Sequence, residues 1–138
     1  MIRMAVAILL APTIYMAGYA QNGLASRDSA QQRVVLSYFH GVLDGRKIEW
    51  LDQLFLPDCV IHRPEGTLRG MAGIRGVVER NIAAYSKFET QVHDIFESGD
   101  RVVVRISHRA MGAGEFRSRI GVYNVRDKAV TWDAIAIF

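Results

Sequence analysis

The stretch RVVVRISHRAM, Arg101 to Met111, decides the class of fold, because its apolar and polar side chains alternate with a period of two. One face carries Val102, Val104, Ile106, His108 and Ala110. The other face carries Arg101, Val103, Arg105, Ser107 and Arg109. Successive side chains of a β-strand point to opposite sides of the sheet. We therefore predict a strand whose first face, with His108, lies against the core and whose second face meets solvent or a partner.

The period of two extends on both sides of this strand. Four long strands are predicted, over residues 89–97, 101–111, 115–125 and 129–138. Their connections are Ser98-Gly99-Asp100, Gly112-Ala113-Gly114 and Arg126-Asp127-Lys128, which contain typical turn residues. We expect a meander in which each strand pairs with the next one.

Before residue 88 the apolar residues recur at helical spacing. Helices are predicted from about Ala30 to Gly45, around Ile48 to Pro57, and from about Gly70 to Tyr85. A short strand pair around Cys59 to His62 separates the last two. Helices followed by an antiparallel meander predict a single α+β domain over residues 30–138.

The N-terminus has the layout of a secretory signal peptide. Residues 1–20 contain Arg3, then an apolar run, then Gly18-Tyr19-Ala20 as a cleavage site, and a polar linker follows over residues 21–29. An uncleaved anchor and a cytosolic start are the alternatives. We expect a secreted or periplasmic protein that has no membrane contact after cleavage.

Charge and composition exclude several classes of function. Net charge is +3, from 17 basic and 14 acidic residues, and falls to +2 once Arg3 is removed. No long Lys/Arg run is present, so no nucleic-acid partner is predicted. His62, His93 and His108 lack metal-ligand spacing, and no phosphate loop or dinucleotide fingerprint occurs, so we predict no metal and no cofactor.

Two segments resemble a known family. VVLSYFHGVLDGRKIEWLDQLFLPDCVIHRPEGTLRGMAGIRGVV (residues 34–78) and ESGDRVVVRISHRAMGAGEF (residues 97–116) are similar to SnoaL-like polyketide cyclase domains of the nuclear-transport-factor-2-like superfamily. The resemblance implies a cone: a curved antiparallel sheet wrapped round three N-terminal helices, with an apolar pocket open at one end. It also implies chemistry such as cyclisation, isomerisation, dehydration or epoxide hydrolysis, although many members have no known reaction.

Asp133, in VTWDAIAIF, is the first candidate catalytic residue. A two-residue turn at Asp127-Lys128 would point it inward, where burial would raise its pKa and make it a usable base. A three-residue turn from Arg126 would place it outward near Arg105. We favour the inward direction, since SnoaL-like cyclases use a pocket Asp together with a His. The position of the family's histidine is Gly112 here.

Other candidates surround the expected pocket. His62 resembles a pocket-facing histidine of these domains and is predicted to assist catalysis. His93 shares an inward parity with Ile95, and together with His108, Tyr38 and Trp50 it is a candidate for substrate binding. Each of these five residues has the alternative of an ordinary core or surface role.

The last strand is apolar on both faces, so both faces need cover. It resembles either the last strand of the cone or the next-to-last one, and the similar strand lengths favour a complete meander. We expect a homodimer through the outer face of the sheet. The leading function is binding of a small apolar molecule, with possible proton-transfer chemistry. The alternative is a non-catalytic ligand-binding or dimeric interaction module.

Overall fold

The computed structural model describes residues 28–138. The predicted signal peptide, and residues 21–27 of the predicted linker, lie outside this range. Within it, the first helix, α1, spans Ala30–Leu36 and continues as a π-helical segment over Ser37–Asp44. Ser29 is the N-cap and forms a capping box with Gln32.

Two further helices follow, as predicted. The second, α2, begins with a 3-10 turn at Ile48–Trp50 and ends with one α-helical turn at Leu51–Leu54. The third, α3, spans Gly70–Ala84 and buries Ile74, Val77 and Val78 against the rest of the fold. No described helix is both long and apolar enough to cross a membrane.

Seven strands are present among the described residues. They are β1 (Val60–Arg63), β2 (Gly66–Arg69), β3 (Tyr85–Ser98), β4 (Arg101–Gly112), β5 (Glu115–Ser118), β6 (Gly121–Asn124) and β7 (Ala129–Ile137). All pairings are antiparallel: β1 with β2, β5 with β6, and β3-β4-β7 in a three-stranded sheet. The prediction of an α+β fold is confirmed.

The predicted meander is wrong in its second half. The expected strand over residues 115–125 is instead the hairpin β5–β6, with Ser118 opposite Gly121. Gly121 has a φ of 152°, which favours glycine. The turn residues Arg119 and Ile120 are not typical turn formers, so the sequence pattern did not reveal it. With the hairpin folded on itself, β7 pairs directly with β4.

The core lies between the helices and the inner face of the three-stranded sheet. Its buried members come from α1 and its π-helical continuation, α2, α3 and β4, and include Val42, Leu51, Val78, Val104 and Ile106. A second, smaller cluster surrounds Tyr85 at the end of α3, where Trp132 and Phe116 pack. The inner face of β4 predicted from its alternation is confirmed, because its five members are all buried.

Candidate functional site

Asp133 lies on the outer face of the sheet, so the expectation that it points inward is wrong. It is exposed and opposite Ser107 of β4, while its neighbour Trp132 points inward, opposite His108. Ser107 Oγ donates a hydrogen bond to Asp133 Oδ1 at 2.5 Å. Both turns considered from the sequence assumed that β7 pairs with the strand before it. Because β7 pairs with β4, the turn at Arg126-Asp127-Lys128 does not set its register.

His93 also lies outside the core, contrary to the sequence prediction. A β-bulge between Val92 and Asp94 leaves His93 without a partner in β4, and its exposed imidazole Nε2 lies 2.6 Å from Ser107 Oγ. The bulge adds one residue and so inverts the parity from Val92 back to Lys87, and a second irregularity before Lys87 shifts the register again. His93, Ser107 and Asp133 therefore form a hydrogen-bonded row on the outer face.

The remaining candidates do not meet at one place. His62 is exposed on β1, with Nδ1 3.0 Å from Thr67 Oγ1. Tyr38 and Trp50 both pack, partly buried, against the main core cluster. Burial raises the pKa of Tyr38 to about 12, so its hydroxyl stays protonated. His62 is therefore not beside His108. Of the three candidate histidines His62, His93 and His108, only His108 lies on the inner face of the sheet.

His108 belongs to a chain of buried hydrogen bonds that links the sheet to α1. Its Nδ1 lies 3.0 Å from Thr90 Oγ1 on β3. Thr90 Oγ1 donates to Asp44 Oδ1 at 2.8 Å, and the Thr90 backbone N–H donates to Asp44 Oδ2 at 3.1 Å. Asp44 is the last residue of the π-helical segment. His108 and Thr90 are only 6% and 5% exposed.

The direction of these bonds fixes the tautomer of His108. A hydroxyl has one proton to donate, and Thr90 donates it to Asp44, so Thr90 Oγ1 accepts from the Nδ1–H of His108. The other ring nitrogen, Nε2, then carries a lone pair. Within residues 28–138 it has no hydrogen-bond partner. Asp44 also binds Nδ1 of the half-exposed His40, at 3.0 Å.

Aromatic rings surround the imidazole. The ring centroids of Phe88, Trp132 and Phe39 lie 4.9, 5.1 and 6.1 Å from that of His108. Burial lowers the pKa of His108, and the nearby Asp44 carboxylate opposes this only in part. His108 is therefore neutral at pH 7, and a neutral imidazole with a defined tautomer is suited to act as a general base.

A shallow depression lies beside Phe88. Its enclosed volume is only about 10 Å³, and it is lined by Leu43, Arg46, Asn81, Ile82, Tyr85 and Phe88. The Arg46 guanidinium donates to the backbone oxygen of Tyr85 and keeps further N–H groups for a ligand. Typical ligand pockets are about 300–1,000 Å³. The depression is therefore far smaller than a ligand pocket and has room for about one water molecule.

Sequence reasoning missed Asp44 and Thr90. Asp44 ends a helix, where an acid is ordinarily a surface residue. Thr90 is the direct partner of His108 only because of the bulge near His93. Without the bulge, the hairpin at Gly99-Asp100 would place Gln91 opposite His108. Sequence spacing alone could not reveal that these side chains meet.

No group of three or more His, Cys, Asp or Glu side chains with metal-binding geometry occurs among residues 28–138. The titratable side chains of the chain Asp44–Thr90–His108 can carry out acid–base chemistry.

Comparisons with known proteins identify relatives of the fold. The structure resembles that of a candidate polyketide cyclase from Acidithiobacillus ferrooxidans, with a TM-score of 0.68, 21% identity, and coverage of 82% of this chain and 80% of that one. A candidate SnoaL-like polyketide cyclase from Jannaschia sp. gives a TM-score of 0.68 and 15% identity, covering 82% and 81%. An epoxide hydrolase from Mycobacterium tuberculosis gives 0.58 and 16%, covering 78% and 71%. At these identities the likeness concerns the fold.

Comparison with curated protein sequences gives no match. The family profile of the SnoaL-like domain, in contrast, matches residues 35–138, which is most of the chain and every described element from the end of α1 onward. The chain therefore belongs to the SnoaL-like family.

Proposed function

We propose that this domain binds a small apolar molecule beside His108 and catalyses a proton transfer on it, such as a cyclisation, isomerisation or hydration. The buried chain Asp44–Thr90–His108 is the observation that supports this proposal. A carboxylate that orders a neutral imidazole through a hydroxyl is an arrangement that general bases use. It replaces the predicted pair of Asp133 and His62, which lie elsewhere.

The role of each group follows from the hydrogen bonds. Nε2 of His108 accepts a proton from the substrate and becomes an imidazolium. Thr90 continues to accept from Nδ1–H, and the negative charge of Asp44 stabilises the new positive charge. The imidazolium then returns the proton at another atom of the substrate. Aromatic side chains around His108 keep water away from the reacting atoms.

The experiment uses Trp132 as a reporter. The chain has two tryptophans, so Trp50→Phe leaves Trp132 alone, 5.1 Å from the His108 ring. Small planar ketones and epoxides are screened for a change in its fluorescence, and the ones that bind are tested for turnover. We expect His108→Gln to reduce turnover by roughly 10²–10⁴-fold while binding persists. His62→Gln is the matched control, and an unchanged rate in His108→Gln would show that the base is another group.

A non-catalytic module is the second candidate, and the filled interior favours it. Phe39, Phe88 and Trp132 occupy the space around His108, and the neighbouring depression is smaller than an ordinary ligand pocket. In this case the chain Asp44–Thr90–His108 only satisfies buried polar groups. The two functions separate in the screen, because a non-catalytic module would turn over no ketone or epoxide, whether or not one binds beside Trp132.

We further propose that the domain forms a homodimer through its sheet. An apolar corner of the outer face supports this: Phe96, Ile135 and Ile137 are 53%, 69% and 63% exposed, and they surround the half-buried Val103. Contiguous exposed apolar side chains of this kind commonly mark interaction sites. Light scattering at micromolar concentration tests the oligomeric state, and a monomer would contradict the proposal.

The export predicted from residues 1–20 remains our proposal. It is supported by the order of the charged start, the apolar run and the small residues at Gly18 and Ala20. We expect the mature protein in the periplasm or outside the cell.

A further inference from the structure

The free edge of β7 is a feature that the proposed function leaves unexplained. The sheet order is β3-β4-β7, so β7 has a partner on one side only among the described residues. Its nine residues, AVTWDAIAI, run without a bulge along β4. A strand at the edge of a sheet presents a row of backbone N–H and C=O groups without partners.

The hydrogen bonds between β4 and β7 show which backbone groups of β7 lack a partner. Phe138 and Val102 exchange both backbone hydrogen bonds, and at the other end Gly112 N–H donates to Lys128. Hydrogen-bonded pairs alternate along an antiparallel ladder. The even-numbered residues of β7 therefore bond to β4. The N–H and C=O groups of Thr131, Asp133, Ile135 and Ile137 point to the free edge, where no residue from 28 to 138 bonds to them.

This edge lacks the features that normally prevent strand pairing. Natural edge strands are blunted by Pro, by Lys, by bulges, or by being short. Between Ala129 and Ile137 there is no Pro, no Lys and no bulge. The single charge in this strand, Asp133, is already bonded to Ser107 on its own sheet. Strand β7 is thus ready to pair with another strand.

We propose that the occupant of this edge is β7 of a second copy, in antiparallel register centred on Ala134. In this register Thr131 faces the partner's Ile137, and Asp133 faces the partner's Ile135. All four free residues then exchange backbone hydrogen bonds. The two three-stranded sheets become one continuous sheet.

The side chains favour this register over its neighbours. Centring the pair on Asp133 would place two carboxylates opposite each other, which is destabilising. Centring it on Ile135 would leave Thr131 beyond the end of the partner strand. With Ala134 at the centre, Trp132 lies across from the partner's Ala136, a large residue against a small one. The register is therefore self-complementary, as a two-fold axis requires.

This inference rests on the proposed homodimer and specifies which part of the sheet forms it. Ile135→Pro tests it, because proline removes only the N–H that faces the free edge and none of the bonds to β4. Phe96→Lys tests the alternative contact through the apolar corner of the outer face, because it places a charge in that corner on the far side of β4 from β7. Ile135 belongs to both surfaces, so this second variant is needed to tell the edge from the corner. We expect light scattering to give a dimer for the full-length protein, a monomer for Ile135→Pro and a dimer for Phe96→Lys.

Each other outcome has a distinct meaning. A monomeric full-length protein overturns both the edge pairing and the homodimer. A dimer that survives Ile135→Pro overturns the edge pairing. A dimer that is lost in Phe96→Lys, whatever the result for Ile135→Pro, also overturns the edge pairing and retains a dimer through the outer face.

Amide hydrogen exchange gives a second readout that requires no variant. In the edge dimer the amides of Thr131, Asp133 and Ile135 become protected as the concentration rises. Those of Ala134 and Ala136, bonded to β4, are protected at every concentration. Fast exchange of the odd-numbered amides in the dimer would overturn the proposal even if Ile135→Pro failed to fold.

Discussion

His108 is a buried imidazole, and its burial makes the stability of the fold depend on pH. Its pKa in the folded protein lies below the ordinary value of about 6.5 that it has in the unfolded chain. Between these two values the unfolded state binds more protons, so the free energy of unfolding rises with pH. We expect stability to fall as the pH drops through about 6.5 and to level off below the folded pKa. Urea denaturation at a series of pH values measures this.

The variant His108→Gln isolates this contribution, because carboxylates also titrate at low pH. The difference in unfolding free energy between the wild type and His108→Gln should change as the pH falls below about 6.5, the ordinary pKa of histidine. His62→Gln removes an exposed histidine and should follow the wild type. If the difference between the wild type and His108→Gln is independent of pH, the imidazole is not held neutral by burial.

Thr90 connects the buried His108 to the partly buried Asp44, and its hydroxyl forms a hydrogen bond with each of them. Thr90→Val keeps the shape but leaves Asp44 Oδ1 and His108 Nδ1 each without this partner. Such groups cost about 1–3 kcal/mol in unfolding free energy. Thr131→Val, on the exposed outer face of β7, should change it by less than about 0.5 kcal/mol. Equal effects in chemical denaturation would show that the chain of hydrogen bonds contributes nothing.

The helices and β4 could be predicted from the sequence, because the spacing of their apolar residues matches the face that is buried. Helical spacing located all three helices, and the alternation over Arg101 to Met111 placed His108 correctly on the inner face. What failed depended on local backbone irregularities. The bulge at His93 reversed the parity of β3, and the hairpin at Arg119-Ile120 gave β7 a different neighbour. A bulge of one residue, or a turn without typical turn residues, exchanges the two faces of a strand. Neither feature can be recognised from the pattern of side chains.

Gly112 ends β4, just before the hairpin β5–β6, and packs directly against the backbone of Val125. This close approach requires a residue without a Cβ. A Cβ there would lie 1.8 Å from the backbone oxygen of Val125, which is part of the chain leaving the hairpin. Backbone cannot move aside as a flexible side chain can, so Gly112→Ala should destabilise the protein by about 1–3 kcal/mol or more. Gly114→Ala is the control, because nothing lies within 4 Å of its Cβ position. Thermal unfolding of both variants measures the difference.

At the scale of the whole molecule, the candidate site joins elements that are distant in sequence. Asp44 ends the first helical unit, Thr90 lies on β3 and His108 on β4. Only the packed fold brings them within hydrogen-bond distance. The family resemblance indicated the fold but pointed to Asp133 and His62, which the structure places on other surfaces. A family resemblance therefore predicts the fold more reliably than it predicts the catalytic residues.

We propose that residues 1–20 direct export, and the processing of this segment can be measured directly. Expressed from Met1 in a bacterial host, the protein should be recovered from the periplasm with Gln21 as its first residue, detected by intact mass. Signal cleavage requires small side chains on the amino side of the cut. We expect Ala20→Arg to block processing, whereas Tyr19→Leu, at the variable position between Gly18 and Ala20, should be processed normally. Recovery of the wild type with residues 1–20 intact would show that this segment remains attached and that the domain is held at the membrane or inside the cell.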